Sequence, residues 1–252
     1  MREITIIYSG NSYIKMAGDA LRDHGFKVYE GSSPQSRDVV VWGWRNGEGL
    51  KRKGHNVLVF ERGYIGDRFK NTSIAWNGLN GHGDFKEPKP DKSRFLQHAE
   101  IKPWRKDGDY IVIMGQVAGD MSLQGRNLTL DYELWADIAK NHYNKPVYFR
   151  PHPNTRQGFN PNIERINGDL QECLDGAHLV ITYNSNSSVD AVLNGVPAVT
   201  MGKGSMSKLV TSQDVRVRLK PRRAQWAYRL ASCQWSEQEI KRGDFIARMF
   251  CK

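Results

Sequence analysis

Short, continuous apolar runs alternate with amphipathic stretches along the first half of the chain. Ile4-Thr5-Ile6-Ile7-Tyr8, Phe26-Lys27-Val28-Tyr29, Val39-Val40-Val41-Trp42 and Val57-Leu58-Val59-Phe60 have the length and the β-branched or aromatic content of strands. Between the first two, Ile14, Ala17 and Leu21 recur at helical spacing over Tyr13 to His24, and Gly25 stands where a helix-ending glycine belongs. Apolar runs without alternation, separated by helices, predict parallel strands buried on both faces. The arrangement is Rossmann-like, without the G-x-G-x-x-G fingerprint.

The pattern lapses from Glu61 to about Pro103, where glycines and prolines crowd the sequence. A structureless stretch of that length is rare unless it is functional or a linker. Its first part reads as an active-site loop after the fourth strand, and its second, around Lys86 to Lys106, as an inter-lobe linker. The periodicity then resumes. Tyr110 to Met114, Val147 to Phe149, Leu179 to Thr182 and Val196 to Val199 read as strands; Leu130 to His142, Leu170 to Leu174 and Ser187 to Asn194 read as helices, the last closed by Gly195. From Gln225 onwards, Trp226, Leu230, Trp235, Ile240 and Phe245 mark one or two amphipathic helices. The expected fold is α/β, with two Rossmann-like lobes facing a central cleft and C-terminal helices packing back across. The expected divisions are an acceptor lobe over 1–103, a nucleotide-sugar lobe over 104–222 and a helical segment over 223–252.

Composition sharpens this picture at two points. Lys plus Arg outnumber Asp plus Glu by 37 to 27, a net charge of +10, which points to a polyanionic partner. The three cysteines, Cys173, Cys233 and Cys251, are too few and too scattered for a disulfide framework or a metal site and suit a reducing cytoplasm. No apolar run approaches the ~20 residues of a membrane span.

In open parallel sheets, ligands bind beyond the carboxyl ends of strands, and four polar segments follow strands here. Gly115-Gln116-Val117-Ala118-Gly119-Asp120-Met121-Ser122 lets the backbone approach a ligand, and places Asp120 as a base, nucleophile or electrostatic partner, or else as an Asx turn. Arg150-Pro151-His152-Pro153 holds a cation and an imidazole on a rigid turn suited to phosphate oxygens, or is a rigid loop with a surface histidine. Tyr183-Asn184-Ser185-Asn186-Ser187-Ser188 lies before a helix, where Ser185, Asn186, Ser187 and Ser188 either meet an anion or cap the helix. In the first half, Glu61 reads as a base acting on an acceptor, or as the partner of Arg62 in a structural ion pair, with Arg62 and Arg68 as candidates for phosphate.

The G-Q-V-x-x-D-x-S stretch (Gly115, Gln116, Val117, Asp120, Ser122), the later Pro151-His152-Pro153 and the Ser/Asn turn before Asn194-Gly195-Val196-Pro197-Ala198-Val199 resemble bacterial capsule-polysaccharide Kdo-type glycosyltransferases, and more broadly GT-B enzymes, over roughly residues 110 to 202. The resemblance implies a nucleotide-sugar donor gripped by the C-terminal lobe with no obligatory metal or other cofactor. It implies His152 on the donor phosphate, the Ser185 to Ser188 turn on the nucleotide phosphates, and Asp120 at the reacting carbon; Gln116 and Arg150 are further candidates for donor binding, and His152 and Glu61 for catalysis beside Asp120. The C-terminal segment is similar to those of small bacteriophage-encoded proteins.

Sugar transfer is therefore the expected activity. The basic surface makes DNA the expected acceptor, through hydroxymethylated pyrimidines as in bacteriophage DNA modification, with the host cytoplasm as the location. A surface glycan is the alternative acceptor, and a non-catalytic DNA-binding protein the alternative class. A phosphatase or nucleotidase would need a metal-carboxylate cluster that the sequence lacks.

Overall fold

A computed structural model of the chain describes residues 1–153 and 158–250. Cys251 lies outside the described residues. The chain divides into two compact units. One joins Met1–His98 to the segment from Ala227 onwards, and the other is Ala99–Trp226.

The first unit is built on a six-stranded sheet. Its elements are β1 (Glu3–Ile7), α1 (Ser12–Asp23), β2 (Lys27–Gly31), β3 (Asp38–Trp42), α2 (Trp44–Arg52), β4 (Asn56–Arg62), β5 (Asn71–Trp76) and α3 (Lys92–Leu96). The strands lie in the order β10-β5-β4-β3-β1-β2, with β10 (Gln234–Ser236) contributed by the C-terminal segment. Strands β2, β1, β3 and β4 run parallel, as their apolar runs predict, while β5 is antiparallel to β4 and β10 is antiparallel to β5. Asn11 caps α1 by accepting from the Tyr13 amide at 2.9 Å. The helix then buries Ile14, Ala17 and Leu21, its periodic face, against Ile4, Val40 and Phe60.

Strand β5 corrects the reading of residues 61–103 as loop and linker. Asn71-Thr72-Ser73-Ile74-Ala75-Trp76 is buried throughout although half of it is polar. Local bonds take up two of its three polar side chains: Asn71 Nδ2 donates to Asp67 O at 3.0 Å and Ser73 Oγ to Glu61 O at 3.4 Å, while the Thr72 hydroxyl is buried without a partner among the described residues.

The second unit holds β6 (Tyr110–Met114), α4 (Thr129–Tyr143), β7 (Val147–Arg150), α5 (Leu170–Asp175), β8 (Ala177–Thr182), α6 (Ser187–Leu193) and β9 (Ala198–Thr200). These make an all-parallel sheet in the order β7-β6-β8-β9. Ile111, Ile113, Leu179 and Ile181 form its core with Tyr132, Trp135 and Phe149. Gly195 turns α6 into β9 at φ +78°, and a Cβ there would stand 2.0 Å from Pro103 O, so only glycine fits. The Arg105 amide donates to Gly195 O at 2.8 Å, which fastens the entry segment of the unit to that turn.

From Ala224 the chain forms α7 (Ala224–Ala231), β10 (Gln234–Ser236), α8 (Glu237–Arg242) and α9 (Asp244–Phe250). Three helices stand where one or two were expected, with the β10 edge strand among them. Gln234 is fully buried, accepts from the Tyr64 and Ile65 amides at 2.8 and 3.0 Å, and donates to Ile65 O at 3.1 Å. The C-terminal segment thus fixes the turn that follows β4. Arg94 adds bonds to Ala231 O and Glu239 and stacks on the Trp235 ring.

Candidate functional site

In the second sheet the strand order breaks between β6 and β8, since β6 connects to β7 on one side and β8 to β9 on the other. Such a break opens a crevice at the carboxyl ends of the two strands, where their loops diverge. The segments that leave those ends are 115–122 and 183–188, and the structure brings them together.

Gln116 and Asn184 make the junction. The Asn184 amide donates to Gln116 Oε1 at 2.9 Å, and Gln116 Nε2 donates to Asn184 Oδ1 at 2.6 Å. Asn184 Nδ2 donates to Ser122 O at 2.8 Å, and Ser122 Oγ donates to Asn184 Oδ1 at 3.2 Å. Gln116 is 7% and Asn184 6% exposed, so these are buried bonds that fix both loops. Thr182 Oγ1 adds a bond to Met114 O at 3.1 Å just beneath.

The third segment joins from β7. The Gly115 amide donates to Arg150 O at 2.8 Å. A Cβ on Gly115 would stand 2.7 Å from the Phe149 ring, so this close approach requires glycine. His152 follows on the same turn, half-buried. The Arg150 Nη2 donates to Gly168 O at 3.3 Å, and the guanidinium lies beside Cys173, whose thiol burial pushes up.

Asp120 is exposed and accepts from the Ser122 amide at 2.8 Å, the Asx-turn geometry. It also begins the short 3-10 turn Met121–Leu123.

At α6 the serines turn largely inward. Ser185 Oγ accepts from the Ser187 amide at 3.2 Å and from Ser187 Oγ at 2.9 Å, while Ser188 Oγ donates to Ser185 O at 2.7 Å. Asn186 occupies the cap position without a side-chain capping bond. Ser188 is fully buried and accepts from Ser207 Oγ at 2.7 Å, and Ser207 meets Ser205 Oγ at 3.0 Å. The Gly202 amide donates to Tyr183 O at 2.6 Å. The segment 202–207, with Lys203 exposed between two buried glycines, is therefore part of the same edge.

Three participants were not singled out from the sequence: Asn184, Ser205 and Ser207. The signal for the serines was present, since Gly202-Lys203-Gly204-Ser205-Met206-Ser207 follows a strand end as the other segments do. The cavity of about 660 Å³ bordered by Glu133, Asp137, Lys145 and Glu164 lies instead at the amino end of β7. Among the described residues, no group of three or more His, Cys, Asp or Glu side chains is placed to hold a metal ion.

In the first unit the parallel strands β2-β1-β3-β4 break order between β1 and β3. Tyr8 follows β1, Trp42 ends β3, and Glu61 and Arg62 end β4. The Arg62 amide donates to Glu61 Oε1 at 2.9 Å, so the contact between these neighbours is carboxylate to backbone. The Arg62 guanidinium instead stacks on two rings, 5.3 Å from Trp42 and 4.6 Å from Phe69.

No protein-family profile and no curated protein sequence matches the chain. Solved structures do. The β-Kdo 2,7 transferase of Thermosulfurimonas dismutans KpsC aligns over 95% of this chain and 97% of its own, with TM-score 0.61 and 17% identity. The β-Kdo 2,4 transferase of the same KpsC aligns over 91% and 89%, with TM-score 0.59 and 12% identity. The fold is of the GT-B type. Within this GT-B fold, the segments 115–122, 150–153 and 183–188 share one edge of the second unit's sheet. Among the described residues, no helix is long and apolar enough to cross a membrane.

Proposed function

We propose that the protein transfers a sugar from a nucleotide-sugar donor, bound at the carboxyl edge of the second sheet, to an acceptor hydroxyl. The observation that carries this reading is the Gln116–Asn184–Ser122 network at the break in strand order. It holds two polar loops in fixed register where a nucleotide's phosphates would lie, and fixed donors stabilise a departing phosphate without reorganising during reaction. The similarity to two structures described as β-Kdo transferases supports the same class and places an activated Kdo among the donors to test.

In this reading His152 meets the donor phosphate, Gln116 and the Ser185, Asn186, Ser187 and Ser188 turn frame the nucleotide, and Asp120 stands at the reacting carbon. Arg150 adds a cation beside His152 for the donor phosphate, with its Nη2 bonded to Gly168 O. Glu61 serves the acceptor in the first unit. The net charge of +10 favours a DNA acceptor with hydroxymethylated pyrimidines, and the ring-stacked Arg62 favours a glycan.

The test is mass analysis after incubation with mixed nucleotide sugars and three acceptors: hydroxymethylated DNA, plain DNA and an oligosaccharide set. A sugar-sized mass gain on one acceptor is the expected result. No gain on any acceptor, together with no nucleotide released, would remove the transferase reading.

A further inference from the structure

Half of the chain's net charge sits on two short segments at the amino edge of the second sheet, the edge that the proposed function leaves unused. Residues 102–109 and 214–223 carry eight Lys and Arg against three Asp, a net +5 of the chain's +10. The first segment leads into β6, and the second runs antiparallel beside it. Arg218 Nη1 donates to Lys106 O at 2.8 Å, Trp104 Nε1 to Pro221 O at 3.0 Å, and Arg223 Nη2 to Lys102 O. Arg218 also donates to His178 O, at the start of β8, at 3.0 Å, and Lys220 Nζ donates to Lys106 O at 3.3 Å. Arg105 Nη1 donates to Leu174 O at 2.5 Å.

These bonds end on carbonyls, which orient a cation without cancelling its charge. The neighbouring carboxylates are committed elsewhere: Asp107 pairs with Lys145 and meets His178, and Asp214 pairs with Arg216. Among the described residues, no carboxylate stands within ion-pair distance of the cations in 102–106 and 218–223. Arg223 is the extreme case. It is 6% exposed, its guanidinium lies 3.6 Å from the Trp104 ring centroid, and burial lowers its pKa to about 10. Burial, and after it the charge of Arg218, lowers the Lys220 pKa as well. Cations gathered without counter-charges repel one another, and a docked polyanion relieves that repulsion.

The furnishing of the patch decides between polyanions. Proteins that hold single strands stack the bases on exposed rings. Here the one ring of the two segments, Trp104, is half-buried, with Arg223 over it and its Nε1 bonded to Pro221 O. A segment that lies in a bilayer surface sets a broad apolar face into it. Here Val217 and Leu219 are only 40% and 41% exposed. Charge fixed in place, with little ring or apolar surface beside it, suits the phosphates of a duplex, whose contacts position a protein without reading sequence.

We infer that the amino edge of the second unit is a docking surface for the phosphate backbone of duplex DNA. The inference goes beyond the sugar-transfer reading and stands without it.

The experiment measures anisotropy of a labelled duplex of mixed sequence against salt, with a single strand and vesicles of phosphatidylcholine, with and without phosphatidylglycerol, as competitors. Lys102, Lys106, Lys220 and Arg222 are the exposed cations of the patch that have no carboxylate partner. Four phosphate contacts give a slope of log affinity on log salt of about −3.6, or about 100-fold weaker binding from roughly 50 to 200 mM salt. The side chains of Lys102, Lys106 and Arg222 make no bond among the described residues, so neutralising them leaves the fold in place. The triple variant Lys102→Gln, Lys106→Gln, Arg222→Gln should keep the wild-type melting temperature and flatten the slope to about −0.9, and Lys106→Gln alone should flatten it by about 0.9. The control Lys15→Gln, Lys51→Gln, Lys53→Gln removes the same charge from the first unit and should bind the duplex as the wild type does.

No duplex binding at low salt would overturn the inference. Equal losses in the two triple variants would do so too, since net charge and not this patch would then be at work. A single strand bound more tightly than the duplex, or phosphatidylglycerol vesicles bound through the patch in place of the duplex, would assign the surface to another partner and overturn it likewise.

Discussion

The parallel parts of the two sheets share one strand order, 2-1-3-4 in each unit's own sequence, yet the breaks in that order are furnished differently. In the second unit, the loops leaving β6 and β8 are tied by buried amide and hydroxyl bonds through Gln116, Asn184 and Ser122. In the first unit, the strand ends carry stacked rings and a guanidinium, and the loop is steadied from behind by Gln234. The same topology thus yields one edge whose buried side-chain bonds fix the backbone of two polar loops, and another that leaves aromatic surface and charge on display. The first kind suits a ligand met by fixed donors. The second suits a ligand recognised by its ring and its charge.

Substitutions can break that contrast, and the largest effect is expected at Asp120. Because its carboxylate accepts from the local Ser122 amide, a bond that an asparagine side chain can also accept, Asp120→Asn keeps the turn. Nucleotide release should nevertheless fall by about 10²–10⁴-fold, the usual worth of an acid–base group, while donor binding persists. Unchanged release would take Asp120 out of the chemistry.

Asn184→Ala comes next. It strips partners from Gln116 and from Ser122 O in a buried setting, so urea unfolding should report a loss of about 3 kcal/mol. A loss under about 0.5 kcal/mol would show that the network does not hold the edge. In contrast, Arg62→Gln on the exposed edge should cost about 1 kcal/mol or less, the range of a cation–π contact. An effect as large as that of Asn184→Ala would erase the distinction between the two edges.

The smallest effect concerns pH. His178 is buried at the amino end of β8, with Nδ1 2.6 Å from Asp107 and the Tyr143 ring against it; Lys145 pairs with Asp107, and Arg218 donates to His178 O. Burial lowers the His178 pKa, outweighing the raising effect of Asp107. The unfolded chain then takes up the proton first as pH falls below ~6.5, so stability drops from there through the lower folded value. His178→Gln should flatten that slope in melts between pH 7 and 5. Asp107, whose own pKa is lowered by the Gly108 amide, His178 and Lys145, acts in the same sense but only in stronger acid. An unaltered slope would mean that another group titrates.

Much of the fold could be read from the chain because parallel strands buried on both faces leave uninterrupted apolar runs. The eight runs from Ile4 to Val199 correspond to observed strands, with ends shifted by a residue or two. Strand β5 was hidden because Asn71, Thr72 and Ser73 are polar and their burial depends on pairing with β4 and β10, distant partners that no local pattern announces. Helix α2 escaped notice because Gly47 and Gly49 interrupt its periodicity; Gly47 is needed where the Trp44 ring and Val57 close in. In the site, position after a strand picked out the loops. Their mutual contact was invisible, since Gln116 and Asn184 are 68 residues apart. Nor does sequence tell where a side chain bonds: Arg150 Nη2 donates to Gly168 O, 18 residues away, which no local pattern announces.

The most direct test of donor binding is thermal unfolding in the presence of a panel of nucleotide sugars, with His152→Ala beside the wild type. The account predicts that one donor raises the wild-type melting temperature and leaves that of His152→Ala, folded as before, unmoved. A panel in which no donor protects the wild type, or one in which His152→Ala is protected equally, would contradict it.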